Sequence, residues 1–152
     1  MEQSTLTKVQ IVYCNYCPEH RIKIMTCHHI NNYGTVEFLT DEIALLTADH
    51  GIEINEVTAD EVMGRLMKQY PDGVKLIINK RHSYSIGAGV YHKGSWNKFI
   101  KAIAIVTYTR GSKMAAKLTT FMATYLNYKS IRTFESEEGI EAARRWLESL
   151  EK

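Results

Sequence analysis

The sequence predicts an α/β fold: a single mixed β-sheet with helices, preceded by an N-terminal β-hairpin extension. Three observations carry this reading. Short runs with period-two alternation of apolar residues crowd the first half of the chain. Two nearly continuous apolar runs, Val74 to Ile78 and Ala102 to Val106, have the pattern of strands buried on both faces. Amphipathic helical stretches alternate with those strands, which is the order of an α/β sheet of mixed direction.

The chain has 152 residues, 45% hydrophobic and 24% charged. That suits one domain with a sizeable core and argues against wholesale disorder. Val9, Ile11 and Tyr13 alternate, and so do Ile22, Ile24 and Thr26, so residues 1–34 are expected to hold a hairpin extension. Residues 35–152 are expected to form the main domain. Val36 and Phe38, then Ile43, Leu45 and Leu46, predict two strands joined near Asp41-Glu42. Asp49-His50-Gly51 is a turn signal before a short strand from Ile52 to Glu56.

Thr58 and Glu61 have capping-box spacing, which predicts a helix with Val62, Met63, Leu66, Met67 and Tyr70 on its inner face. Pro71-Asp72-Gly73 ends it. After the first buried strand, a Gly-containing stretch from Ser83 to Gly94 leads to a short helix around Trp96 and Phe99. Ser112 is placed to cap the helix after the second buried strand, with Met114, Leu118, Phe121, Met122, Tyr125 and Leu126 facing in. Ile131 to Phe134 reads as a strand. Ser136 is expected to cap a last helix that faces inward through Ile140, Ala143, Trp146, Leu147 and Leu150.

Residues 35–150 resemble the SpoIIAA-like, or STAS/SEC14-type, bacterial domains. The strongest likeness is the tail: Ala102-Ile-Ala-Ile-Val-Thr, a helix with Phe121, then Ile131-Arg-Thr-Phe134 and Glu137-Glu-Gly-Ile-Glu-Ala-Ala-Arg-Arg-Trp146-Leu147. The resemblance implies a regulatory or binding module. Some members are anti-sigma-factor antagonists that change partner when a serine after the central strand is phosphorylated. Here that stretch is Asn79-Lys-Arg-His-Ser83-Tyr-Ser85-Ile-Gly87, which makes Ser85 the candidate phosphoacceptor. It departs from the family's Asp-Ser-Ser-Gly turn. Other members resemble lipid-binding domains.

The net charge of +2 conceals an uneven distribution, because no acidic residue lies between Asp72 and Glu135. Such asymmetry suits an anionic ligand or an acidic partner, unless acids elsewhere fold over it. Lys80, Arg81, Arg110, Ser112 and Lys113 follow the two buried strands, whose ends share one sheet edge if the strands are parallel neighbours. They are the candidate anion- or ligand-binding residues. Nucleic acid is a weaker expectation, since Tyr84, Tyr91 and Trp96 among lysines usually pack rather than stack on bases.

Cys14-x-x-Cys17 with Cys27 and His29 forms a candidate zinc set, so a zinc- or thiol-dependent protein is the alternative reading. The plainer expectation is three reduced cytoplasmic thiols, since no export signal precedes them. A thioredoxin-type role is disfavoured, because the residues after Cys17 alternate instead of forming a helix. No cofactor signature, catalytic triad or phosphate loop is present, so the sequence leans away from an enzyme. The expected partners are a protein surface or an anionic or lipid ligand. A homodimer is also a candidate, as cover for the edge of the hairpin. No apolar stretch is long enough to span a bilayer.

Overall fold

A computed structural model describes residues 26–92, 96–111, 113, 114, 117, 130–136 and 138–150, with the two-residue strands β1 (Val12–Tyr13) and β2 (Lys23–Ile24). For residues 12, 13, 23, 24, 91, 92 and 97 only the backbone is described. β1 and β2 pair antiparallel.

The main sheet has six strands: β3 (Thr26–Ile30), β4 (Gly34–Phe38), β5 (Ile43–Ala48), β7 (Val74–Lys80), β9 (Ile100–Thr107) and β10 (Ile131–Glu135). Their spatial order is β10-β9-β7-β5-β4-β3. β3, β4 and β5 pair antiparallel; β5, β7, β9 and β10 run parallel. The mixed α/β sheet is therefore present. It begins upstream of residue 35, because Thr26–Ile30 supplies an edge strand and Ile30 and Tyr33 are buried in the core.

Strand alternation divides the core into two halves. On one face Val36, Phe38, Leu46, Leu76, Ile103 and Ile105 pack with Val62, Met63 and Leu66 of α1 (Glu56–Gln69). The short helix α2 (Trp96–Phe99) adds Trp96 and Phe99 at the margin of this cluster. On the other face Leu45, Ile77, Ala104 and Val106 pack with Ile140, Ala143 and Leu147 of α3 (Gly139–Ser149). Each of the larger side chains among them, Val, Leu, Ile, Met or Phe, stabilises the fold by roughly 1.5–3 kcal/mol when taken fully out of water.

α1 starts one turn earlier than its sequence suggests. Asn55 is the cap: its Oδ1 accepts from the Thr58 amide at 3.0 Å and from the Thr58 hydroxyl at 3.2 Å. Thr58 is thus a capped residue inside the first turn, and the capping box is corrected. At the other end Tyr70 closes the helix, and its hydroxyl donates to the Thr40 and Ile43 carbonyls, each at 3.0 Å. Burial, then the Asp41 carboxylate, pushes the Tyr70 phenol well above its ordinary pKa. Met67, expected inside, is exposed on the flank of the helix.

The two serine caps are also corrected. Residues 110 and 111 are already helical and the Lys113 amide donates to the Thr109 carbonyl, so that helix begins before Ser112, which lies outside the described residues. Met114, expected on its inner face, is 73% exposed, while Leu118, Phe121, Met122, Tyr125 and Leu126 lie outside the described residues. Ser136 adopts a left-handed φ of 70° and offers its carbonyl, not its hydroxyl, to the Gly139 amide. Glu138 occupies the cap position of α3 without a side-chain hydrogen bond. Gly139 lets the helix meet the sheet: a Cβ there would lie 2.7 Å from Val106 Cγ1.

Lys75 interrupts the apolar run of β7, yet it is 3% exposed. It lies on the α3 face, where its Nζ donates to Glu42 Oε2 at 3.1 Å and to the Leu147 and Leu150 carbonyls at 3.0 and 3.3 Å. The last carbonyls of a helix have no partner within it, and a cation is well placed to take them. Replacing Lys75 with Met removes the buried ammonium from those carbonyls and from Glu42, and is expected to cost about 2–4 kcal/mol. Urea unfolding measures this, with exposed Lys68→Met as the control that changes stability by less than about 0.5 kcal/mol. The cap correction has its own test: Asn55→Ala should lower stability by about 1 kcal/mol in the same assay. A neutral Asn55→Ala would return the cap to Thr58.

Candidate functional site

Parallel neighbours end on the same edge of the sheet. β5, β7 and β9 therefore bring the residues that follow them together. β7 runs to Lys80, which pairs in register with Thr107. Beyond it the chain is pinned against the 51–54 segment. The Gly51 amide donates to the Ser83 carbonyl at 2.7 Å, and β8 (Ser85–Ile86) pairs parallel with β6 (Glu53–Ile54). The result is a cleft of about 320 Å³ lined by His50, Lys80, Arg81, His82, Ser83, Tyr84, Thr109 and Gly111. None of these residues is acidic.

Lys80 is the least ordinary of them. It is 6% exposed, and its Nζ donates to the Tyr84 hydroxyl at 3.1 Å while lying 4.5 Å from the centroid of that ring. Burial disfavours the ammonium and brings its pKa down to about 8. Behind Tyr84 lies buried Tyr33, whose phenol is pushed far up by burial and by Tyr84. Arg81 places its guanidinium 5.5 Å from the centroid of the Tyr108 ring. One position before Lys80, fully buried Asn79 donates from Nδ2 to Thr47 Oγ1 at 3.3 Å. Its Oδ1 has no hydrogen-bond partner among the described residues.

The structure brings only part of the expected anion set together. Lys80 and Arg81 line the cleft. Arg110 is exposed and does not line it. Lys113 is turned to Glu135, with Nζ 3.0 Å from Oε1, a surface pair of small energetic worth. Ser112 lies outside the described residues. His82, Thr109 and Gly111, which adjoin expected residues in the sequence, also line the cleft, and it is completed by His50, Ser83 and Tyr84, which were absent from the expected set. Their one sequence signal is position, since each follows a predicted strand.

Ser85 is exposed in β8, and its amide donates to the Ile52 carbonyl at 3.0 Å. In the candidate zinc set, Cys27 and His29 alternate onto the same face of β3. Cys14 and Cys17 lie outside the described residues. Desolvation, then the Glu37 carboxylate, raises the Cys27 thiol pKa. His29 Nε2 lies 3.8 Å from Asp49 Oδ2. Among the described residues no three His, Cys, Asp or Glu side chains gather as a metal site would require.

A second groove of about 800 Å³ runs between α1 and the β3–β4 edge. Its lining includes Asp60 and Glu61 as well as Arg65 and Lys68, so its charges balance. His28 leans on Phe38 there, with ring centroids 5.1 Å apart, and burial followed by Arg65 lowers its pKa. Of these two, the smaller cleft is the one lined by basic residues without acids. Among the described residues no helix is long and apolar enough to cross a membrane.

Comparison of the chain with protein-family models, with curated proteins and with solved structures returns no match.

Proposed function

We propose that this protein is a non-catalytic regulatory or binding module of the STAS type, and that its ligand is a small anionic group seated at the carboxyl ends of β5, β7 and β9. One observation carries the reading. The cleft holds Lys80, Arg81, His50 and His82 with three hydroxyl-bearing residues, and no carboxylate among its lining. Cations and hydroxyls converging in a partly desolvated site are what a phosphate, sulfate or carboxylate requires. The acid-free stretch of the sequence supports it, because the loops that follow β7 and β9 contain no carboxylate. A protein partner that presents an acidic or phosphorylated side chain would use the same chemistry.

Sulfate is the clean probe, since it does not titrate near neutrality. Its binding, measured by calorimetry, should weaken with added salt. Binding should be strongest below pH 8 and fall as the pH rises through the Lys80 pKa of about 8, because the neutral amine no longer attracts an anion. The double variant Arg81→Ala with His82→Ala should lose about tenfold or more in affinity. Arg110→Ala with Lys113→Ala, outside the cleft, should lose far less. A parent protein without salt-sensitive binding, or equal losses in the two double variants, would reduce the basic stretch to a solubility feature.

A further inference from the structure

We infer that Lys80 is a covalent capture site for a small aldehyde or ketone that carries a phosphate or other anionic group, held as an imine on Nζ. The inference rests on the anion cleft proposed above and names what that cleft takes.

Two requirements meet at Lys80. An amine that condenses with a carbonyl must be largely stripped of water and close to a group that can move protons. Lys80 is 6% exposed, lines the cleft and has the Tyr84 hydroxyl 3.1 Å from Nζ. The second requirement is a handle that holds the incoming molecule beside the amine. Arg81, His82 and His50 line the same cleft and have no acidic neighbour in its lining. A volume of about 320 Å³ suits a ligand of a few heavy atoms, at the small end of binding sites.

The electrostatics agree with the geometry. The groups facing Lys80 are Tyr84, with Tyr33 behind it, and the Arg81 guanidinium and the His82 and His50 imidazoles that share the cleft lining. None stabilises an ammonium as a carboxylate would. Burial lowers the Lys80 pKa to about 8. At neutral pH that leaves roughly two orders of magnitude more free amine than an ordinary lysine has.

The step balances without an oxidant or reductant. The Nζ lone pair adds to the carbonyl carbon as the C=O π electrons move onto oxygen. A nitrogen proton passes to that oxygen, through the Tyr84 hydroxyl, to give a carbinolamine. The hydroxyl then leaves as water, taking up the remaining nitrogen proton, and the C=N bond forms. The reaction is reversible, so the product is a bound ligand and not a turnover.

The full-length protein is incubated at pH 8 with glycolaldehyde phosphate or with glycolaldehyde, and imines are fixed with borohydride. Peptide mass mapping of the unmutated chain locates the adduct, so the result does not depend on a variant folding. The expected result is a single fixed adduct on Lys80 with glycolaldehyde phosphate, forming about tenfold faster than with glycolaldehyde. Sulfate should slow it, and Lys80→Arg should abolish it. Sulfate binding together with no adduct on Lys80, or with labels spread over exposed lysines such as Lys68 and Lys101, overturns the capture site and leaves the anion cleft standing. An adduct on Lys80 that forms equally fast with both probes and is indifferent to sulfate overturns the anion cleft, and with it the anionic class of ligand.

Discussion

The buried ammonium of Lys75 is the constraint on which much of this architecture depends. It enters the sheet at the start of the central strand β7, where an apolar side chain would have been the simpler choice. From there it takes two carbonyls at the end of α3 and the Glu42 carboxylate in the β4–β5 turn. Three segments far apart in the chain are thereby tied to one atom. An unpaired charge at that depth would cost several kcal/mol, so the arrangement tolerates few alternatives. α3 must end where it does, and the β4–β5 turn must sit over the same strand end. Tyr70 tightens the same turn from the opposite face through the Thr40 and Ile43 carbonyls.

With one end of β7 anchored in this way, its other end is set by register. β7 pairs with β5 and β9 along most of its length, so its last residues, Asn79 and Lys80, are flanked by Thr47 on one side and by Val106 and Thr107 on the other. The strand ends with a second lysine, Lys80, five positions on and therefore on the opposite face. The two lysines of one strand illustrate opposite uses of buried charge. Lys75 meets a carboxylate and two carbonyls. Lys80 meets a phenol and an aromatic face. The first environment satisfies an ammonium, and the second leaves it easier to neutralise.

What the sequence made legible follows from how local each signal is. The runs Val74 to Ile78 and Ala102 to Val106 became central strands because continuous apolar character needs no partner to be recognised. The helix caps failed for a local reason of another kind. Asn55, Thr58, Ser112 and Ser136 all have capping chemistry, and which of them caps depends on where the preceding strand lets go. Met67 and Met114 are apolar but exposed, because composition does not say which flank of a helix the sheet covers. The cleft was half legible. Lys80 and Arg81 stood out by charge and position. His50 belongs to it only because β5 and β7 are parallel neighbours, and Tyr84 because it turns back onto Lys80; both are tertiary facts. The burial of Lys80 was hidden too, since the apolar run stops at Ile78 while the strand continues to residue 80.

The properties of the cleft follow from the same step. Two further residues of strand carry Lys80 out of solvent, and the loss of water weakens its charge. A site built from fully solvated lysines would hold an anion loosely and stay charged at every physiological pH. A site with one desolvated lysine beside an arginine behaves differently. The Arg81 guanidinium supplies a charge that does not titrate, while the Lys80 amine can exist in either form. An arriving anion favours the protonated form of Lys80, because the attraction offsets part of the desolvation cost. An arriving carbonyl consumes the neutral form. Ligand charge and ligand reactivity therefore draw on the same proton, and a molecule that carries both an anionic group and a carbonyl can give Arg81 the first and Lys80 the second.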